Sequence, residues 1–528
     1  MGSVCESCAA GDFIAGQSLS RKIHRLTPLA IVVLALVLRV ALLDIKPAHF
    51  DEGVNGWFVD QMTHSGFYHY DPTNFHGPLH FYVLFVAQTL LGRHEWALRL
   101  PLALVSTACV AMMLAFWRYF GRGACTIAAL CMAVSPGFVF YGRYAIHESW
   151  FVFFLLLLSW GLAGLCFFGT RRHLCAAAAG VTGLILTKET YIIHFIAFTL
   201  GYLVLRWWER YSPSAPFVPA EQQWSRLDLT RAITVCLGVV VLFYTGFLLD
   251  WSSLGGLIVS LFAWAHTGMG GQTGHEKEPW YWLKLMQFYE WPGLIGLVAA
   301  LGLAGRDTRR TLRWFALSGA AAFFAYSIVA YKTPWCLIAI LWPFYFTFGA
   351  AVVWLAERFD RWVVGIAAAV AIAFSTAVCL RLNFRDFSNE QEHYAYVQTT
   401  LDINKLLDPL RTLVARDRTN YHLPGYVVLG DVHPLPWLLA DFTRVRIGNL
   451  TDLAADVSDG EFFVVAEEYQ EEIERTLKGS WFREKITIRG NSGQSQWLYF
   501  RPDKFAEFFP GRQPEFTAGA APAKAEEE

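Results

Sequence analysis

Tyr141-Gly-Arg-Tyr-Ala-Ile-His-Glu-Ser149, followed by Trp150-Phe-Val-Phe-Phe-Leu-Leu-Leu-Leu-Ser-Trp-Gly-Leu-Ala-Gly-Leu-Cys-Phe-Phe-Gly169, decides what kind of protein this is. The second stretch has no charged side chain, and a helix of about 20 such residues crosses roughly 30 Å of hydrocarbon. A backbone in lipid must satisfy its own hydrogen bonds, so the run is expected to be a helix. Ala232–Leu249 and Trp362–Leu380 repeat the pattern, and Leu29–Leu43 does so with a single charge, Arg39. A membrane helix entered through a polar segment holding Arg143, His147 and Glu148 implies chemistry at a membrane boundary.

Composition agrees. Hydrophobic residues make up 55% of the chain, aromatic residues 16% and charged residues 16%, against about 25% charged in soluble domains. The formal net charge is −1, so no global basic field points to nucleic acid. Of ten cysteines, Cys109, Cys125, Cys131, Cys166, Cys236, Cys336 and Cys379 lie in apolar runs and read as small hydrophobes. Cys5 and Cys8 form a lone CxxC, a weak metal motif without a second pair.

Lys and Arg gather on the cytoplasmic side of membrane proteins. Basic clusters fall at Arg21-Lys22-Arg25, Arg118 with Arg122, Arg171-Arg172, Arg206–Arg231, Arg306–Arg313 and Arg358–Arg361. About eleven spans place all of them on one side, beginning near residues 28, 98, 124, 150, 174, 190, 232, 287, 314, 335 and 362. His80–Leu91 is too short to span comfortably and reads as a surface helix. The expected fold is mainly α. It is a polytopic transmembrane helical bundle, N-terminus in and C-terminus out, with outer-face juxtamembrane helices and a small C-terminal α/β domain. The boundaries are a cytoplasmic tail over 1–26, the transmembrane domain over 27–384, an extracytoplasmic α/β domain over 385–510 and a disordered tail over 511–528. In the C-terminal domain Tyr426–Asp431, Phe462–Ala466 and Ile486–Arg489 read as strands and Glu467–Lys478 as a helix. The basic start before the first apolar run reads as an uncleaved signal anchor, for a multi-pass protein of the cell inner (plasma) membrane.

This orientation puts Lys46–Gly92, Arg143–Ser149, Lys188-Glu189, Trp251–Lys284, Tyr331–Trp335 and everything after Arg381 outside. Asp51-Glu52 follow the first span. Adjacent carboxylates at a membrane boundary are costly to desolvate and face water, a cation or a substrate. One of them in a pocket could take the proton of an attacking hydroxyl; a solvated loop would hold the same pair. Tyr70-Asp71-Pro72-Thr73-Asn74-Phe75-His76-Gly77-Pro78 suits a carbohydrate surface, with Asp71 and His76 as contacts, and equally an interfacial aromatic belt. Arg143 and Glu148 fit either a salt bridge or a phosphate ligand and a second acid, with His147 beside them. Lys188 and Lys332 stand at outer boundaries, where lysines snorkel to headgroups or neutralise a phosphate leaving group. His266 and His275, with His76, are candidates for a divalent metal, although their spacing fits no compact motif. Asn449-Leu450-Thr451 has the form of an N-glycosylation acceptor. The chain has no GxxxxGK[ST], GxSxG or HExxH segment, so ATP-driven transport and serine or zinc protease chemistry lack their usual parts.

Asp51-Glu52 after the first span, Arg99-Leu100-Pro101, Glu148 and Thr187-Lys188 recur in this order in membrane glycosyltransferases of the GT-C class, whose protein O-mannosyltransferases and lipid A aminoarabinose transferases the chain resembles. Within that class Asp51-Glu52-Gly53, Tyr70-Asp71-Pro72 with His76-Gly77-Pro78, Arg143-Tyr144 with His147-Glu148, Tyr331-Lys332-Thr333-Pro334-Trp335, Val397-Gln398-Thr399-Thr400 and Pro434-Leu435-Pro436-Trp437 resemble the flippase activity-associated protein family. The resemblance implies a polyprenyl-phosphate-linked sugar as donor and transfer on the non-cytoplasmic face to a lipid, protein or polysaccharide acceptor, among membrane lipids. Asp51 would activate the acceptor or stand beside a metal, with Glu52 next to it and Glu148 as second acid. One departure is that aminoarabinose transferases have an acid and a lysine before the loop proline, where this chain has His76-Gly77. The rival readings are a flippase or transporter component for lipid-linked sugar, and a non-catalytic assembly protein.

Overall fold

Helices form where the apolar runs predict them. The computed structural model describes residues 26–215, 221–268, 274–307, 309–448, 459–490 and 494–518. The chain divides into two compact units: the first holds the described residues through Leu43 together with Ser65–Arg385, and the second holds Asp44–His64 together with the described residues from Asp386 on. The first helices are α1 (Leu26–Val40), α2 (Phe50–Ser65, which up to His64 belongs to the second unit), α3 (Leu79–Leu91), α4 (Glu95–Ala115) and α5 (Trp117–Phe120). Next come α6 (Arg122–Val134), α7 (Pro136–Tyr141), α8 (Glu148–Phe168), α9 (Arg171–Ile185), α10 (Tyr191–Trp208) and α11 (Arg226–Tyr244). The first unit ends with α12 (Ser253–Gly268), α13 (Tyr281–Tyr289), α14 (Trp291–Arg306), α15 (Arg310–Ile328), α16 (Leu337–Ala356) and α17 (Arg361–Phe384).

Among the described residues six helical stretches are long and apolar enough to cross a membrane: Glu95–Phe120, Glu148–Phe168, Tyr191–Trp208, Arg226–Tyr244, Pro334–Ala356 and Arg361–Phe384. Shorter apolar helices are Leu26–Val40, Leu79–Leu91, Arg122–Val134 and Trp291–Gly305. The predicted surface helix His80–Leu91 is among these short ones.

Small residues decide how closely α8 and α9 pack. A Cβ on Gly161 would lie 2.4 Å from Ala177 N, and one on Gly180 would lie 2.6 Å from Leu158 N. Membrane helices gain contact by this close approach, since lipid supplies little hydrophobic drive between them. Gly169 turns the chain between the two in a left-handed conformation (φ 59°), which costs glycine nothing. The resulting hairpin carries Glu148 at the start of α8 and Lys188 just beyond the end of α9.

Buried arginines tie the bundle together. Arg39 is fully buried and donates to Ser106 Oγ (2.8 Å) and to the carbonyls of Ala35, Ala133 and Met132, joining α1, α4 and α6. Arg143 is also fully buried; it donates to the carbonyls of Leu38 (3.1 Å), Ala41 (2.5 Å) and Leu42 (2.6 Å). Those carbonyls lie at the open C-terminal end of α1, where cations are favourable.

The second unit is α/β. After α18 (Asn404–Arg416) come β1 (Gly425–Val428), α19 (Leu435–Leu438), β2 (Val445–Gly448), β3 (Phe462–Ala466), α20 (Gln470–Thr476), β4 (Gly479–Ile486), β5 (Gln496–Phe500), α21 (Pro502–Phe505) and β6 (Phe516–Ala518). The sheet order is β2-β1-β3-β5-β4-β6; β1 pairs in parallel with β2 and β3, and the other pairings are antiparallel. Alternation sends Phe462 and Val464 to a core with Leu406 and Leu410 of α18, and Phe463 and Val465 to one with Trp481 and Ile473. The expected strand Phe462–Ala466 is present. The one placed at Ile486–Arg489 instead ends at Ile486, because the pairing runs from Phe482↔Phe500 to Ile486↔Gln496.

Candidate active site

Four titratable side chains of the first unit, Glu148, Lys188, Glu189 and His76, gather at the open end of the α8–α9 hairpin. Lys188 Nζ donates to Glu148 Oε1, with both side chains under a tenth exposed (8% and 4%). Cys336 Sγ stands 4.0 Å from the same ammonium, and Thr333 Oγ1 stands 3.4 Å from that sulfur. The neighbouring carboxylate, Glu189, has Oε2 3.1 Å from His76 Nδ1. His76 is a quarter exposed while Glu189 is buried, so the histidine is the accessible end of this pair. Burial alone would lower the Lys188 pKa; Cys336, Glu148 and Glu189 outweigh it and hold it well above the usual lysine range. The ammonium stays charged.

Two further imidazoles close the cluster. His147 lies between His76 (centroids 4.5 Å) and His80 (4.2 Å). His80 donates from Nε2 to the Ala145 carbonyl at 3.0 Å. Burial, with His80, His76 and Lys188 adding to it, pushes His147 well below the ordinary histidine range, so it is a neutral ring. Its Nε2 is buried with no hydrogen-bond partner among the described residues, which costs about 1–3 kcal/mol unless a ligand or water satisfies it.

Backbone pairing holds His76 in place. Gly77 N–H donates to the Thr187 carbonyl (3.1 Å) and Leu79 N–H to that of Leu186 (3.1 Å). A Cβ on Gly77 would lie 2.3 Å from the carbonyl carbon and oxygen of Leu186, so glycine is what lets the His76 loop reach the Lys188 turn. Beside this pairing opens an apolar cavity of about 570 Å³, lined among others by Leu79, Leu186, Thr182, Val235 and Phe243.

The other predicted positions are distributed differently. Lys332 is buried and donates to the carbonyls of Lys277 (3.1 Å) and Val329; burial lowers its pKa from the usual lysine value. Its N–H bonds the His275 carbonyl (3.0 Å), and Glu276 bridges Tyr331, so two segments that read separately in the sequence are one pinned loop. Asp71 accepts from the N–H and hydroxyl of Thr73 (2.8 and 2.6 Å), a local turn. Tyr68 and Tyr70 are buried, stacked on Phe81 and edge-on to Tyr244, and so serve packing. Among the described residues no group of three or more His, Cys, Asp and Glu side chains could hold a metal ion. His76 is on Glu189, His266 is exposed on α12, and His275 packs on the Tyr331 ring. Asn449-Leu450-Thr451 and the Cys5/Cys8 pair lie outside the described residues.

Asp51 and Glu52 belong to the second unit, at the start of α2. Glu52 is buried and accepts from the His49 N–H (2.9 Å), while Asp51 N–H donates to His49 Nδ1 (3.1 Å). This reciprocal arrangement satisfies open N–H groups at the helix start. The Asp51 side chain remains a third exposed. A Cβ on Gly53 would meet Pro434 at 2.4 Å, and one on Gly56 would meet the Trp437 ring at 2.5 Å, so α2 packs on the Pro434–Trp437 motif. Sequence reasoning did not single out Glu189, His80 or Cys336. Glu189 had a signal in its adjacency to Lys188; Cys336 sat in an apolar run and gave none.

Residues 75–220 match the family described as dolichyl-phosphate-mannose-protein mannosyltransferase, and every member of the cluster except Cys336 and Thr333 falls in that stretch. The Bacillus subtilis protein YkcB, assigned as a mannosyltransferase, is 31% identical over 190 residues, a match covering 33% of this chain and 26% of that protein. The chain thus matches about a quarter of that relative's length. In fold, it is similar to ArnT from Cupriavidus metallidurans bound to undecaprenyl phosphate (TM-score 0.61, 17% identity, 89% of this chain and 97% of that one). It is also similar to the Archaeoglobus fulgidus oligosaccharyltransferase (TM-score 0.50, 13% identity, 87% and 73%). Residues 75–220 thus match the dolichyl-phosphate-mannose-protein mannosyltransferase family, and the chain as a whole has the polytopic fold found in GT-C glycosyltransferases.

Proposed function

We propose that this protein is a membrane glycosyltransferase that moves a sugar from a polyprenyl-phosphate donor to an acceptor hydroxyl on the extracytoplasmic face of the cell's inner membrane. The observation that carries the reading is the buried Glu148–Lys188 pair joined to Glu189–His76. Burying several charges costs several kcal/mol per ion before compensation, and such an expense at a membrane boundary is characteristic of a substrate site. ArnT, similar in fold, is described bound to undecaprenyl phosphate, which supports a polyprenyl carrier; the apolar cavity beside Leu79 and Leu186 suits its isoprenoid chain.

In this reaction the acceptor oxygen bonds to the anomeric carbon as the bond from that carbon to the phosphate oxygen breaks. The departing electron pair stays on the polyprenyl phosphate. Lys188, fixed as a cation, and His76, the accessible edge of the cluster, stabilise that charge as it develops. The acceptor proton goes to a carboxylate, the role that the family resemblance gives to Asp51. Glu148 keeps Lys188 in position, and the unpaired Nε2 of His147 meets a sugar hydroxyl. Arg143 supports the site through α1 rather than through phosphate. The test supplies purified protein in nanodiscs with labelled polyprenyl-phosphate sugars and a membrane-extract acceptor, with and without EDTA. Release of free polyprenyl phosphate together with labelled acceptor supports the reading; donor that binds but is never consumed moves the function to lipid-sugar transport.

A further inference from the structure

At the far end of the α8–α9 hairpin a smaller cavity of about 240 Å³ opens between the last turns of α4 and α8, α5 and the first turn of α9. The 21 residues of α8 put it about 30 Å along the bundle from Glu148, at 1.5 Å per residue. Its lining includes Arg118, Arg172, Tyr119 and His173 and no carboxylate. Both guanidiniums rest on rings: Arg118 lies 5.2 Å over Trp117 and 5.3 Å over Phe168, and Arg172 lies 5.8 Å over Trp160.

Two further observations point to a ligand. His173 is fully buried and Tyr119 is 6% exposed, yet His173 Nε2 and the Tyr119 hydroxyl have no hydrogen-bond partner among the described residues. Arg171, Arg172 and His173 occupy the first turn of α9, which has no acid there, although the positive end of a helix dipole favours anions and opposes cations. Arg171 is compensated by Asp228 at 3.2 Å. Arg172 and His173 line the cavity.

We propose that this cavity binds the phosphate headgroup of an anionic membrane lipid, at a site separate from the Glu148–Lys188 cluster. Paired guanidiniums suit phosphate oxygens better than a single carboxylate. The buried imidazole and phenol supply further polar contacts, and a cavity of this size accommodates a headgroup rather than a chain. Its aromatic wall and its place at the ends of apolar helices put it at headgroup level, where basic pockets between membrane helices take anionic lipids.

The test titrates purified full-length protein in neutral detergent with short-chain phosphatidic acid, short-chain phosphatidylcholine and inorganic phosphate, reading bound lipid by native mass spectrometry. Phosphatidic acid is expected to bind in preference to the other two, and the Arg118→Gln, Arg172→Gln variant to bind it about thirtyfold more weakly. Arg172→Gln alone, expected about fivefold weaker, carries the test if the double variant does not fold. Undiminished phosphatidic acid binding in these variants overturns the proposal. Inorganic phosphate binding as tightly as phosphatidic acid also overturns it, in favour of a free-anion site.

Discussion

Lys188, in the turn after α9, donates to Glu148, the first residue of α8, and both are buried. The pair closes the open end of the α8–α9 hairpin. Removing one partner leaves the other buried and unpaired, at a cost of about 3–5 kcal/mol. Lys188→Met and Glu148→Gln should each lower the melting temperature in detergent, and Lys188→Met with Glu148→Leu should recover much of the loss. Additive losses would mean that the two residues act independently. The raised lysine pKa puts its contribution below the folded-state value, to be lost only as pH rises through it, so between about pH 6 and 9 this pair should not move the melting temperature.

Acid should destabilise the protein through its histidines. Burial lowers the pKa of both His147 and His433, in the second case with Arg489 adding to it and Asp431 and Asp51 opposing it. Below the ordinary histidine value of about 6.5 the unfolded chain takes up protons that the folded chain refuses, so stability falls as pH falls. Melting measured from about pH 8 to 5 should decline on the acid side, and His433→Phe should flatten that decline. An equal slope in the variant would remove His433 from the account.

Gly77→Ala tests the contact that brings His76 to Lys188. The added Cβ would sit 2.3 Å from the Leu186 carbonyl, so the loops must part, at about 1–3 kcal/mol. Transfer should fall more than stability does, because the loop carries His76. Wild-type activity in a folded Gly77→Ala protein would show that the pairing does not position the site.

His76→Ala should separate chemistry from folding. The side chain is a quarter exposed, so its loss should change melting little. In the role proposed for it at the leaving phosphate it should be worth about 10²–10³ in rate. The check is the transfer rate at saturating donor beside the melting curve; a large fall in melting temperature with proportional loss of activity would make His76 a structural residue.

Much of the bundle was legible because a lipid-spanning helix has to be long and almost free of charge, and the uncharged runs Trp150–Phe168 and Trp362–Leu380 lie in such helices. What could not be read was where tertiary structure sends a charge. Arg143 has the chemistry of a phosphate ligand, but its guanidinium lies among the carbonyls that end α1. Glu52 is half of an acidic pair in sequence and a helix cap in the fold. Tyr70 read as a ring of a carbohydrate surface or an interfacial belt because nothing local announces Tyr244 packed against it. Strand β4 was misplaced because its Arg483 and Lys485 look solvated, whereas both lie over the Trp497 ring (4.5 and 5.6 Å), which lets charged stems cover an apolar face.

The measurement that tests the central claim most directly is transfer of labelled sugar from a polyprenyl-phosphate donor by purified protein in nanodiscs, comparing wild type with the Asp51→Asn, Glu148→Gln double variant. The account predicts labelled acceptor and free polyprenyl phosphate from the wild type, and a rate lower by about 10²–10³ or more in a variant that still binds donor. Undiminished transfer by the folded variant would contradict it.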